Sequence, residues 1–123
     1  MSDSKCQSYR DLRVWQEAVK LAEICYRLTK NFPKEELYGM TSQIRRASVS
    51  IAANIAEGYG RKHKGEYIQF LYIAQGSLKE LETHLLIAQR VEIASAESIN
   101  PILSQCDSVG RLLGGLIRAI ESR

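Results

Sequence analysis

Four stretches of the chain place apolar residues alternately four and three positions apart, the spacing that lines one face of a helix. The first carries Val14, Ala18, Leu21, Cys25 and Leu28, with Trp15, Val19, Ala22 and Tyr26 forming a second stripe beside them. Asp11 is placed to cap its start. Asn31-Phe32-Pro33 ends it, because a residue before proline is pushed out of the α region. The second stretch runs over about 36–57 with Leu37, Thr41, Ile44, Ser48, Ile51 and Ile55 on its stripe, and Gly58 is suited to a left-handed stop. The third, over about 65–90, carries Tyr67, Leu71, Ala74, Leu78, Leu81 and Leu85. The fourth begins near Asn100-Pro101, proline being suited to the first helical position, and carries Ile102, Cys106, Val109, Leu113, Leu116 and Ile120. No stretch alternates with the period of a strand, and the connections are short. The predicted fold is therefore all-α, an antiparallel up-down-up-down four-helix bundle over residues 10–121 behind a flexible polar tail over residues 1–9.

Between Gln43 and Arg61 the helical spacing is crowded with small residues. A surface helix ordinarily carries Lys, Glu and Gln opposite its core stripe. Here that face holds Ser50, Ala53 and Asn54, with Arg46 and Glu57 as its only charges. The third helix likewise carries Ile68, Tyr72, Ile73, Leu86 and Ile87 off its stripe. Both patterns predict self-association; the alternative is a monomer with an unusually plain surface. Gly110, Gly114 and Gly115 inside the fourth helix, each costing about 1 kcal/mol relative to alanine, predict close helix approach.

Composition narrows the class without naming it. With 123 residues, 45% of them hydrophobic, the chain can bury one core, and a formal charge of +3 permits an anionic partner without requiring one. Cys6, Cys25 and Cys106 are widely separated and odd in number, as expected of incidental thiols in a reducing cytoplasm. No leader of signal-peptide type opens the chain and no apolar run approaches the roughly 20 residues of a membrane span, so a soluble cytoplasmic protein is expected.

Catalytic chemistry finds little footing. His63 and His84 lack a recognisable nucleophile or carboxylate partner, Glu80 and Glu82 face differently, and no cysteine–histidine spacing suits a metal. Neither a catalytic residue, a metal site nor a cofactor is expected. The stronger lead is charge. Arg45, Arg46, Arg61, Lys62 and Lys64 stand against the single acid Glu57, while the rest of the chain is close to balanced. Such an excess can neutralise phosphates without reading sequence, and Tyr59 and Tyr67, flanking the loop 58–64, could stack on unpaired bases. Alternatively the loop is merely solvated, and Arg45 and Arg46 pair with acids within or between subunits.

Several motifs then converge on one family. Arg10-Asp11-Leu12 with Val14-Trp15-Gln16, Gln43-Ile44-Arg45-Arg46-Ala47, Ser50-Ile51-Ala52-Ala53-Asn54-Ile55-Ala56-Glu57-Gly58, Glu66-Tyr67 and Gly76-Ser77-Leu78 all contribute. Over residues 10–119 the chain resembles the bacterial four-helix-bundle proteins encoded by intervening sequences within 23S ribosomal RNA genes, described as ribosomal-protein-like. The resemblance implies an oligomeric ring, a homopentamer, with no known enzymatic activity. It extends to accessory proteins of diversity-generating retroelements, which bind nucleic acid and a reverse transcriptase. Arg45, Arg46, Asn54, Glu57, Gly58 and Arg61 fall on the family motif. Ala52-Ala53 stands where many relatives have a proline, which implies a straighter helix here. The expectation is a homo-oligomer that binds RNA or DNA electrostatically through Arg45, Arg46, Arg61, Lys62, Lys64 and Tyr59. The alternative is a scaffold that docks a protein such as a reverse transcriptase or nuclease.

Overall fold

The computed structural model describes residues 6–123, and four helices account for most of them: α1 (Arg13–Thr29), α2 (Met40–Tyr59), α3 (Lys64–Arg90) and α4 (Ala96–Glu121). Facing residues reveal their directions. Across α2 and α3, Arg46 meets Glu80, Ser50 meets Ser77 and Gly58 meets Phe70, so numbers rise on one helix as they fall on the other. Across α3 and α4, Lys64 reaches Arg123, Tyr72 reaches Glu121 and Leu78 approaches Gly110. Neighbours are thus antiparallel, and α1 closes against both α2 and α4.

The predicted stripes meet in one core. Leu21, Ile44, Ile51, Ile55, Leu71, Leu81, Leu85 and Leu113 are fully buried, drawn from all four helices. Two stripe positions are displaced by one residue: Thr29 and Ile117 are buried, whereas Leu28 and Leu116 only lean on the core. Thr29 is accommodated because its hydroxyl donates to the Cys25 carbonyl at 2.9 Å and accepts from Arg45 Nε at 2.8 Å. Between α1 and α4, Gln105 Nε2 donates to the Glu17 carbonyl (3.0 Å) and carboxylate (3.2 Å). With help from Lys20, that second bond holds the Glu17 carboxyl below its ordinary range.

Helix boundaries depart from the sequence expectation for local reasons. Asp11 does not cap α1. Its carboxylate turns back to accept from the amides of Gln7 (2.9 Å) and Ser8 (3.2 Å), bracing a short 3-10 turn, and Leu12 occupies the cap position. Of the tail expected over residues 1–9, residues 1–5 lie outside the described residues. Pro33 leads into a 3-10 turn at Lys34–Glu36, so α2 starts at Met40 instead of near 36, and the Met40 amide donates to the Glu36 carboxylate at 3.0 Å. Leu37, expected on the stripe, is half exposed. α4 begins at Ala96, capped by the Ser95 hydroxyl, and Pro101 sits within its second turn on the exposed side, where it forfeits one backbone bond.

Gly58 is a further correction. It lies inside α2, buried and without positive φ. Its role is close approach: a Cβ there would sit 2.8 Å from the Phe70 Cβ. Of the α4 glycines only Gly110 faces another helix, with Leu78 Cδ2 at 3.4 Å, whereas Gly114 and Gly115 lie nearest Arg118.

Cys25 and Cys106 are buried without exposure, and burial pushes each thiol up to about 12. Both are expected to resist alkylation in the native protein at pH 8 while the part-exposed Cys6 reacts, one modified thiol per chain by intact mass. Three modified thiols without denaturant would mean that the core opens on the labelling timescale.

Candidate functional site

The five cations of the basic stretch do not form one patch. Arg45 and Arg46 lie in the second turn of α2 and Arg61 just beyond its last residue, so about 20 Å of helix at 1.5 Å per residue separates the groups. They occupy opposite poles of the bundle.

At the first pole, Arg45 is a structural residue on its visible contacts. Its guanidinium lies 4.7 Å from the Tyr26 ring centroid while Nε donates to Thr29, which knits α2 to α1. Arg46 is exposed, donates to the side-chain Oε1 of Gln43 and stands 4.0 Å from Glu80 on α3. Glu57 therefore does not serve Arg46. His84, which the sequence left without a carboxylate partner, lies 3.5 Å from Glu80 beside the α2–α3 seam, largely covered, with Nε2 buried and without a hydrogen-bond partner among the described residues. Ser50 and Asn54 are also in this seam and not on the outer face: Asn54 Nδ2 donates to the Ser50 carbonyl at 2.8 Å, and the Ser50 and Ser77 hydroxyls are 2.8 Å apart. The outward face of α2 carries Ser42, Val49 and Ala53 together with the charges of Arg46 and Glu57.

The second pole gathers the rest. The loop is shorter than the sequence suggested, because Tyr59 ends α2 and Lys64 begins α3. Tyr59 is half-buried, packed edge-on to Tyr67 with centroids 6.2 Å apart, and its hydroxyl donates to the Cys6 carbonyl at 3.5 Å. Arg61 lies over the Phe70 ring at 4.7 Å and pairs with Glu57 at 3.9 Å. Lys64 Nζ donates to the backbone oxygens of Arg123 (2.9 Å) and Glu121 (3.5 Å). Lys62 and His63 are exposed.

These residues rim a cavity of about 310 Å³ whose described lining contains Arg61, Lys62, His63, Lys64 and Arg123 but no carboxylate side chain. Its floor is apolar, from Leu12, Leu116 and Ile120. The contribution of α4 was missed in the sequence. Up-down topology alone would have supplied it, since that order returns the end of α4 to the pole where α3 begins. Among the described residues no cluster of three or more histidines, cysteines or acids could hold a metal ion, and no helix is long and apolar enough to cross a membrane.

The model of the family described as 23S rRNA-intervening sequence protein matches residues 10–115. The chain also superposes, with a TM-score of 0.76, on the crystal structure of a protein with unknown function from the S23 ribosomal protein family of Bacteroides thetaiotaomicron VPI-5482. The two are 26% identical, and the match covers 85% of this chain and 97% of that one. No curated protein matches the chain.

Proposed function

Because the chain belongs to the 23S rRNA-intervening sequence protein family, matched over residues 10–115, we propose that it is a non-enzymatic, self-associating bundle that binds RNA or DNA through electrostatic contacts. The observation that carries this reading is the second pole, where a rim of cations surrounds a cavity with no acidic side chain in its described lining. Lysine and arginine side chains so grouped displace counterions from phosphates and hold any sequence alike. The Arg46 pole supplies a second, weaker contact region, since Glu80 partly offsets its charge.

Self-association draws its support from exposed apolar residues on three of the helices. Val19, Ala22 and Tyr26 of α1 and Val49 of α2 line one groove, and Ile73 and Ile87 on α3 remain 46% and 42% exposed. The proposed assembly is a homopentameric ring, in which each weak basic pole is repeated and avidity rises through effective concentration. A protein-docking role has its own support at the other pole, where Leu37, Tyr38 (93% exposed) and Val91 stand together at the α2 start and α3 end. A reverse transcriptase or nuclease is the partner class proposed for it.

Light scattering combined with a salt titration of binding to structured RNA and duplex DNA tests the proposal. A defined oligomer whose affinity for either falls steeply with salt is the expected result. An oligomer that ignores both at low salt would replace nucleic-acid binding by the docking role, and a monomer would remove the ring.

A further inference from the structure

The second pole is more than a charged surface, because its cations surround a concavity with an apolar floor. About 310 Å³ is at the small end of ligand cavities, enough for one nucleotide. Arg61 commits its guanidinium to Phe70 and Glu57, so Lys62, His63 and Lys64 are the rim groups left to meet a ligand. Lys64 is held in place by two backbone oxygens and retains a third ammonium proton. The helix that starts at Lys64 adds a further attraction. His63 provides no side-chain cap, so the first-turn amides of α3 face this pole without a side-chain acceptor. Glu66 in the same turn does not line the cavity. Leu12 and Leu116, both part-exposed, give the cavity an apolar lining, with the Tyr59 and Tyr67 rings also on its wall.

We propose that this cavity binds a nucleoside monophosphate, free or as the phosphorylated end of a strand. The phosphate lies between Lys62, Lys64 and the start of α3, and the base covers the floor. This extends the nucleic-acid reading of the same pole. A phosphomonoester suits it better than an internal diester, because it carries about 1.5 to 2 negative charges at neutral pH against one, and three terminal acceptor oxygens.

The test compares a 12-nucleotide RNA carrying a 5′-phosphate with its 5′-hydroxyl twin by fluorescence polarisation, and titrates adenosine 5′-monophosphate, adenosine and inorganic phosphate by calorimetry. About tenfold tighter binding of the phosphorylated RNA is expected, matching one or two charge-assisted hydrogen bonds. Lys62→Ala, at an exposed site, should bring that ratio close to one while the protein stays folded. Adenosine 5′-monophosphate should bind, and adenosine and phosphate each more weakly. Equal affinity of the two RNAs together with no nucleotide binding overturns the inference while leaving general nucleic-acid binding intact. Nucleotide binding without any RNA binding identifies the free nucleotide as the ligand and overturns the strand reading. Phosphate binding as tightly as the nucleotide overturns the role of the apolar floor.

Discussion

Gly58→Val is expected to destabilise the protein by about 3 kcal/mol or more, the upper range for forcing atoms into a packed seam. The α2 backbone passes so close to α3 that even one added carbon would lie 2.8 Å from the Phe70 Cβ, 3.1 Å from the Tyr67 Cδ1 and 3.2 Å from the Tyr67 carbonyl oxygen. Two of those neighbours are backbone or Cβ atoms, which no rotamer change can remove. Gly58→Ala should cost about 1–3 kcal/mol on the same grounds. Gly60→Ala is the control, because its Cβ would meet only the Glu57 carbonyl at 3.6 Å, an ordinary contact. Urea denaturation of the three variants gives the comparison. A Gly58→Ala midpoint indistinguishable from that of Gly60→Ala would mean that α2 and α3 can spread without loss.

That seam also ties stability to the basic pole. Phe70 is at once the atom group that Gly58 admits and the ring over which Arg61 lies, so a spread seam shifts the cation as well. The same glycine was legible in the sequence as a marked position, and its meaning was not. A helix stop and a helix contact both favour glycine, and only the partner across the seam separates them. The core stripes were readable because burial on a helix repeats with the helical period, which Ile44, Ile51 and Ile55 or Leu71, Leu78 and Leu85 display directly. Helix starts were less so. Asp11 and Glu36 both cap something, but the sequence does not say whether a carboxylate folds back over a turn or forward onto a helix. The basic residues suffered from the same limit in reverse. They are neighbours in sequence, and a twenty-residue helix separates them in space while bringing Arg123 beside Lys64.

Replacing Arg61, Lys62 and Lys64 together by alanine is expected to weaken binding to duplex DNA on the order of fifty-fold at 0.1 M salt for each subunit engaged. Each phosphate neutralised contributes about 0.9 to the slope of log affinity against log salt, so three full contacts would lower it by about 2.7. The structure argues for about two. Lys62 is exposed, so its charge is available to a phosphate. Lys64 shares its protons with the oxygens of Arg123 and Glu121, which compete with a phosphate for it. Arg61 is partly offset by Glu57, an exposed pair of small worth that still competes with a phosphate. The loss should be equal across sequences, since none of the three is expected to read a base edge. Arg46→Ala, with Glu80 already beside the guanidinium, should lower the slope by less than one unit. If the triple variant keeps the wild-type slope while Arg46→Ala flattens it, the nucleic acid lies on the other pole, and the cavity beside Lys62 is not on its path.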